Sequence, residues 1–257
     1  MTSHKSSWSL EKTIRKENYA RNIRSLENIE ELDTGDFGSY ARLKNGHEIC
    51  DTMLSFHNDL SPEPKIKFLH KKLQLNLSAI TSVLDLGCGA GFTTNALADL
   101  YKNAEVIGVD LSKDAIDWAA ETFETCRFMN KAVSPSDAPI GNFNLIFCFE
   151  FYPFSRTDDL KIQKNYLKYL LSQLQDGGKI IIQQTWAKKN GLADNLDELQ
   201  RIFNKFDFKL IYIPNSRILK LLKFEHPCFW VDKILRFFMR IPPNKALVVS
   251  KRQGEKR

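Results

Sequence analysis

The spacing of hydrophobic and polar residues changes near residue 79 and divides the chain into two parts. Residues 1–78 are mostly polar, and the apolar residues of SWSLEKTIRKENYARNIRSLENIEEL and PEPKIKFLHKKLQL recur near the helical period. From residue 79 onward, short apolar runs alternate with amphipathic stretches. Such alternation favours a mostly parallel sheet covered on both faces. The pattern therefore predicts a helical N-terminal cap over 1–78 and an α/β domain over 79–257.

Seven apolar runs are predicted to be the strands of this sheet. They read AITSVLDLG, AEVIGVD, CRFMNKAV, FNLIFCFEF, KIIIQQTW, FDFKLIYIP and KALVVSKR. The stretches between them predict helices, among them TDDLKIQKNYLKYLLSQL, which the pair Gly177–Gly178 is expected to end.

The region 214–243 interrupts the alternation between the last two strands. Its larger apolar residues follow one helical stripe: Trp230, Ile234, Phe237, Phe238 and Ile241. The stripe predicts a helical insertion that packs on the body as a lid. Two other interpretations remain open. Basic residues such as Arg217 and Arg236 would meet a phosphate or carboxylate of a substrate, or the helices would rest on anionic lipid.

Charge is unevenly distributed along the chain, which carries a net charge of +6. From Arg217 onward, 11 Lys and Arg stand against 3 Asp and Glu, so the rest of the chain has a small negative excess. This distribution does not favour a basic body that binds nucleic acid.

The chain also carries few signs of a membrane or secretory protein. No apolar run approaches the roughly 20 residues that a membrane helix needs, and the first 24 residues lack the apolar core of a signal peptide. The five cysteines include no CxxC pair, so neither a zinc site nor a disulfide framework is indicated. We therefore expect a cytoplasmic protein with reduced thiols, no resident metal and no membrane span.

The stretch VLDLGCGAG, residues 83–91, carries the main chemical signal. In an open α/β sheet, ligands bind beyond the carboxyl ends of the strands, and glycines after the first strand permit a tight turn against a ligand. Asp110 ends the second strand, 25 residues after Asp85, where an acid accepts hydrogen bonds from ribose hydroxyls.

Asp85 separates two kinds of nucleotide ligand. A carboxylate beside the turn would repel the pyrophosphate of a dinucleotide and attract a cation. The glycines also depart from GxGxxG, because Phe92 stands where the third glycine would be. A nucleoside with an ammonium and a sulfonium suits this turn, and S-adenosylmethionine has that structure.

These residues resemble the class I S-adenosylmethionine-dependent methyltransferases. VLDLGCGAG matches the first motif of the family, Asp110 matches its ribose-binding acid, and GGKIIIQQ is similar to its fifth-strand entry. GNFNLIFCFEF resembles the fourth-strand motif, with Asn144 where an acid is usual. The resemblance covers about residues 79–213 and the last strand. It implies a Rossmann-like sheet of seven strands, mostly parallel, whose last strand is reversed.

The resemblance also implies the cofactor site. Its expected members are Asp85, Gly87, Cys88, Gly89, Gly91, Asp110, Leu111, Ala132, Val133 and Phe149. Asp85 would hold the methionine ammonium, Asp110 the ribose, and Leu111 would pack on adenine. The acid that often meets adenine after the third strand is absent at Ala132–Val133, which leaves contact through the backbone or through Ser134 or Asp137.

A general base is needed only if the acceptor must lose a proton. Glu150 is the first candidate because it follows the fourth strand directly, and Tyr152 lies two residues further on. His57 is a third candidate, since the family often places lid residues before the sheet. Each of these side chains also has an ordinary structural interpretation.

We therefore predict a methyltransferase that modifies O or N of a small, anionic metabolite and releases S-adenosylhomocysteine. A sugar or nucleotide-linked intermediate in surface-polysaccharide or secondary-metabolite tailoring would fit, by analogy of fold alone. One alternative is a nucleic-acid methyltransferase, although FEFYPF has one proline and no amide or acid immediately before it. The other is a non-catalytic partner subunit that binds the cofactor.

Overall fold

The computed structural model describes residues 62–111, 113–151, 153–154, 158–184, 192–213, 234, 237–238 and 244–251. Seven strands form one sheet: β1 Ser82–Leu86, β2 Glu105–Asp110, β3 Arg127–Asn130, β4 Phe143–Phe149, β5 Leu174–Gln184, β6 Phe206–Ile213 and β7 Asn244–Lys251. Five described α-helices accompany them: α1 Pro62–Lys72, α2 Phe92–Leu100, α3 Lys113–Thr122, α4 Leu160–Leu171 and α5 Leu196–Ile202.

The strand order is β3-β2-β1-β4-β5-β7-β6. Strands β1 to β5 run parallel, and β7 is antiparallel to both of its neighbours. This topology confirms the predicted Rossmann-like sheet with a reversed last strand. The order changes direction between β1 and β4, and the carboxyl ends of those strands form the crevice where open α/β sheets bind ligands.

Alternating side chains divide the core into two layers. One layer contains Leu84, Ile146 and Ile180 together with Leu167 and Leu170 of α4. The other contains Val83, Phe147 and Ile181 together with residues of α1 and α2. We call this second side the α1 face. Because strand side chains alternate, Asp85, Phe149 and Gln183 also lie on the α1 face.

The fourth helix ends earlier than predicted. It stops at Leu171 rather than at the glycine pair, and Gly177 lies inside β5 with a positive φ of 78°. The pairing of β4 with β5 shifts between Phe143 and Leu145. The residues around the glycines therefore form an irregular start of the strand, which the apolar run at 179–184 alone did not reveal.

Asn144, which replaces the usual acid of the fourth-strand motif, supports the opposite end of the sheet. Its Oδ1 accepts hydrogen bonds from the backbone N of Thr81 and Ser82, and its Nδ2 donates to Gln175 Oε1 at 2.8 Å. These bonds join the starts of β1, β4 and β5. Asn144 therefore has a structural role at the end of the sheet opposite the ligand edge.

Both predicted lids lie mainly outside the described residues. Within the predicted cap 1–78, the structure describes residues 62–78 and contains α1. Within the insertion 214–243, it describes Ile234, Phe237 and Phe238, which are exposed. Across the described parts of the chain, no helix is both long and apolar enough to cross a membrane.

Candidate functional site at the carboxyl edge

The glycine turn after β1 has the backbone that the motif predicts. Gly87, Gly89 and Gly91 all have positive φ, at 74°, 53° and 81°. The backbone N–H groups of Gly87 and Cys88 both donate to Val109 O, which ties the turn to β2. A Cβ added at Gly89 would meet no heavy atom within 4 Å, whereas one at Gly91 would lie 2.8 Å from the Phe128 ring. Gly91 therefore serves packing, and Gly89 faces open space.

Asp85 is almost fully buried beneath this turn, at 1% exposure. Its Oδ2 accepts a hydrogen bond of 2.8 Å from Thr94 Oγ1 in the first turn of α2. Burial raises the pKa of Asp85 to about 7, while the Thr94 bond and the Lys65 charge act in the opposite direction. A buried carboxylate with one hydroxyl donor is suited to receive a cationic ligand.

Asp110 ends β2 on the other side of the turn and is 8% exposed. Its Oδ2 accepts a hydrogen bond of 2.9 Å from Gly89 N. Asn130, at the end of β3, donates through Nδ2 to the backbone oxygens of Asp110 and Leu111. The acid is thus held in the turn by its own side chain and by its backbone, at the position expected for a ribose ligand.

The ends of β4 and β5 form the side of the site next to β1. Phe149 and Gln183 are register partners, and Glu150 N donates to Gln183 O at 2.9 Å. Glu150 has a positive φ of 55°, which costs a non-glycine residue roughly 1–2 kcal/mol. The backbone therefore turns sharply at Glu150, the first candidate for the general base. Gln183 is 3% exposed, and its Oε1 has no hydrogen-bond partner among the described residues.

Lys65 of α1 lies against Phe149 at the end of β4. Its Nζ lies 4.1 Å from the centroid of the Phe149 ring. Desolvation lowers the pKa of Lys65 to about 8, while the charges of Glu150 and Asp85 favour its protonated form. The edge therefore combines several carboxylates with an ammonium contributed by α1.

The predicted adenine side is ordered by backbone contacts. Val133 is buried, and its carbonyl accepts from Tyr166 Oη at 2.9 Å, whereas Ala132 is exposed. Asp137 accepts from Ser134 N and pairs with Lys131 at 3.3 Å, so its carboxylate already stabilises the local turn. A role for Ala132 and Val133 in holding adenine stays a prediction.

Cys88 shows the properties of a packing residue. It is 8% exposed, and burial raises the pKa of its thiol well above the ordinary value. A thiol in that state is a weak nucleophile. Two of the three catalytic candidates, Tyr152 and His57, lie outside the described residues.

Four polar or glycine contributions to this edge were not singled out from the sequence: Lys65, Thr94, Gly108 and Gln183. A Cβ at Gly108 would lie 2.7 Å from Thr94 Oγ1, so this glycine makes room for the hydroxyl that contacts Asp85. The two amides that follow the apolar run KIII were a readable signal for Gln183, because polar residues at the carboxyl end of a buried strand face the ligand crevice.

The residues present fit S-adenosylmethionine. Asp85 can hold an ammonium, Asp110 can accept from ribose hydroxyls, and the space at Gly89 permits close approach to the backbone. The buried Gln183 amide offers a further polar contact to a ligand. The buried Asp85 carboxylate beside the turn would repel a pyrophosphate, which argues against a dinucleotide there.

Comparisons with known proteins agree with this geometry. The family described as "Methyltransferase domain" matches residues 77–226. Trans-aconitate 2-methyltransferase of Rhodopseudomonas palustris (strain BisB5) is 31% identical over 156 residues, which are 56% of this chain and 54% of that protein. The chain thus spans about half the length of the curated relatives it matches.

Two solved structures share the fold. The plantazolicin methyltransferase BpumL in complex with SAH aligns over 88% of this chain and 99% of its own, with a TM-score of 0.54 and 15% identity. A TehB-like SAM-dependent methyltransferase from Corynebacterium glutamicum aligns over 81% and 97%, with a TM-score of 0.50 and 18% identity. With its family match over more than half its length, the chain belongs to the S-adenosylmethionine-dependent methyltransferases.

Proposed function

We propose that this protein transfers a methyl group from S-adenosylmethionine to an oxygen or nitrogen of a small, anionic metabolite. The observation that carries the proposal is the presence of two buried carboxylates, Asp85 and Asp110, at the glycine turn. The relatives named for trans-aconitate, a tricarboxylate, support an anionic acceptor. The excess of basic residues after Arg217 supports it as well.

Four side chains have distinct tasks in this proposal. When bound, the cofactor supplies an electrophilic methyl group on a sulfonium. Asp85 holds the ammonium and Asp110 the ribose, while Phe149 excludes water from the reacting edge. Glu150 accepts a proton from the acceptor if the acceptor is a hydroxyl or a protonated amine.

Replacing Glu150 tests its role as the base. Glu150→Gln keeps the side-chain size and the local backbone but cannot accept the proton. We expect turnover to fall by about 10²- to 10⁴-fold, while affinity for S-adenosylhomocysteine changes little. Steady-state kinetics and calorimetry measure the two quantities. Unchanged turnover would exclude Glu150 as the base without touching the assignment of the cofactor.

Transfer of labelled methyl groups tests the proposed acceptor class. The protein and methyl-labelled S-adenosylmethionine are incubated in three separate reactions. One contains a desalted metabolite extract, one contains total nucleic acid, and one contains a membrane fraction. Label in the acid-soluble pool that is retained on an anion exchanger supports the proposal. Label in precipitable nucleic acid alone would contradict it. No transfer, with S-adenosylhomocysteine still bound, would leave either an acceptor missing from all three fractions or a non-catalytic partner subunit.

A further inference from the structure

Gln183 is a buried polar side chain with an unsatisfied oxygen at the carboxyl end of β5. It is 3% exposed, and its Oε1 has no hydrogen-bond partner in the part of the chain that the structure describes. Its register partners on the two neighbouring strands are apolar, Phe149 of β4 and Ala246 of β7. A buried acceptor without a partner is costly. The position is therefore suited to receive a hydrogen-bond donor from a ligand.

The strand order places Gln183 across β4 from the two acids that are proposed to hold the cofactor. Asp110 and Asp85 belong to β2 and β1, on one side of β4, and Gln183 belongs to β5 on the other side. Glu150 directly follows β4, and its backbone N donates to Gln183 O at 2.9 Å. The carboxyl ends of all these strands border one ligand crevice. A ligand group at Gln183 therefore lies on the opposite side of Glu150 from the nucleoside, where an acceptor would be.

The polar groups at this edge favour a hydrogen-bond donor over an anion. Gln183 Oε1 accepts hydrogen bonds, and Glu150 brings a carboxylate to the neighbouring strand end. Lys65 does not call for a further anion, because the charges of Glu150 and Asp85 already act on it. A carboxylate nucleophile would leave Oε1 without a donor. A hydroxyl offers a single hydrogen, whereas an amine can donate one N–H to Gln183 and another to Glu150.

We propose that Gln183 and Glu150 form an amine subsite, so that the atom that receives the methyl group is a nitrogen. The inference rests on the proposed function and deepens it, because it names the class of the nucleophile and a residue that holds it. Gln183 Oε1 accepts one N–H of the amine and orients its lone pair, and Glu150 accepts another N–H. A carboxylate or phosphate elsewhere on the acceptor is compatible with this subsite.

The transfer balances without a further reactant. The ammonium form of the acceptor loses one proton to the Glu150 carboxylate, which leaves a lone pair on nitrogen. That lone pair forms the N–C bond to the methyl group while the C–S bond breaks, and the electron pair of the broken bond stays on sulfur. The products are a protonated N-methylamine and S-adenosylhomocysteine, and Glu150 later releases its proton to water.

Blocking the amines of an extract tests the class of the nucleophile. A metabolite extract is treated with acetic anhydride in aqueous bicarbonate, which acetylates amines and leaves carboxylates and most hydroxyls free. The wild type with methyl-labelled S-adenosylmethionine should transfer label to the untreated extract and at least tenfold less to the treated one. A mixture of both extracts controls for inhibition. Undiminished transfer to the treated extract, or labelled methanol released from the product by mild alkali, as from a methyl ester, would contradict the subsite.

Trans-aconitate is a defined probe that has no amine. It is a tricarboxylate, and relatives of this chain are named for its methylation. The amine subsite predicts that the protein transfers no label to trans-aconitate. Transfer to it would support the methyltransferase and overturn the amine subsite.

Two leucine variants on β5 separate a ligand role of Gln183 from a structural one. Gln175 lies near the other end of the strand, and its Nε2 donates to Asn142 O at 3.0 Å and to Ser82 Oγ at 3.1 Å. Gln175→Leu should lower the unfolding temperature by roughly 2–4 °C per lost bond and keep the extract concentration that gives half-maximal transfer. Gln183→Leu should unfold no lower than the wild type and bind S-adenosylhomocysteine as tightly, but need about tenfold more extract.

Gln183→Glu is the variant that distinguishes a donor from an anion. Glutamate keeps acceptor oxygens at this position, so an amine should still be methylated at an extract concentration within about threefold of the wild-type value. An anionic group would be repelled, and transfer by Gln183→Glu would then fall below that of Gln183→Leu. That order of the two variants would contradict the subsite.

The failures of the subsite and of the proposed function are distinguishable. If Gln183→Leu loses as much thermal stability as Gln175→Leu, the amide is bonded within the fold and the subsite is wrong, whatever the acceptor. If the wild type binds S-adenosylhomocysteine and methylates oxygen, only the subsite falls. If the wild type binds no S-adenosylhomocysteine, the cofactor assignment falls with it.

Discussion

At the scale of single residues, the site depends on Asp85, whose buried carboxylate costs stability when no cationic ligand is bound. Its pKa is raised to about 7 by burial. A carboxyl with a raised folded-state pKa binds a proton more tightly in the folded than in the unfolded chain. Its contribution to stability therefore declines as pH rises from about 4 to about 7.

The first prediction concerns Asp85→Asn. The amide can still accept from Thr94 but carries no buried charge. We expect the free energy of unfolding at pH 7.5 to rise by on the order of 2 kcal/mol, with a smaller rise at pH 5. Affinity for S-adenosylhomocysteine should fall at least tenfold. Urea unfolding at both pH values and calorimetry measure these effects. The exposed Asp117→Asn serves as control, and a loss of stability at pH 7.5 would contradict the argument.

The second prediction uses two glycines with the same backbone demand. Gly89 and Gly177 have φ of 53° and 78°, and an added Cβ would meet nothing within 4 Å at either. Alanine at either position should cost roughly 1 kcal/mol of stability through strain alone. Only Gly89→Ala should weaken binding of S-adenosylhomocysteine, by about tenfold or more, because its methyl group enters the ligand space.

Thermal unfolding and calorimetry on both alanine variants measure this pair. Equal losses of affinity would mean that strain spreads through the sheet. Unchanged affinity in Gly89→Ala would place the ligand elsewhere.

At the scale of elements, the edge works because α2 and β2 jointly position Asp85. Thr94 is fully buried and donates from the first turn of α2, and Gly108 of β2 leaves the space that its hydroxyl occupies. The hydrogen bond from Thr94 lowers the pKa of Asp85 against the larger effect of burial. The spacing between strand and helix therefore tunes the charge of the site.

The third prediction is that Thr94→Val shifts the pH profile of ligand binding. Valine has a similar shape but cannot donate, so the pKa of Asp85 should rise further. Affinity for S-adenosylhomocysteine falls on acidification because Asp85 becomes protonated. The midpoint of that fall, near pH 7 in the wild type, should move to higher pH in Thr94→Val. Calorimetry between pH 5.5 and 8.5 measures it, and a midpoint at or below the wild-type value would contradict the role of the hydroxyl.

The strands were largely predictable from the sequence because buried parallel strands give continuous apolar runs. The start of β5 was not predictable, because Gly177 lies inside an irregular part of that strand and does not end a helix. Asp85 and Asp110 were readable from their spacing. Lys65 and Thr94 were not, because their proximity to Asp85 results from how α1 and α2 pack on the sheet.

At the scale of the whole molecule, the described residues form one sheet of seven strands, and Asp85, Asp110 and Glu150 lie at the carboxyl ends of its strands. Residues 1–61 and most of 214–243 lie outside the described part of the chain. The cofactor edge can be tested independently of the lids.

The assignment of this edge to S-adenosylmethionine is tested by calorimetric titration of the wild-type protein with S-adenosylhomocysteine, followed by competition with NAD. We expect one site per chain, and we expect that NAD does not displace S-adenosylhomocysteine, because the pyrophosphate of NAD would lie close to the Asp85 carboxylate. Absence of binding, or displacement by NAD, would contradict the assignment of this edge to S-adenosylmethionine.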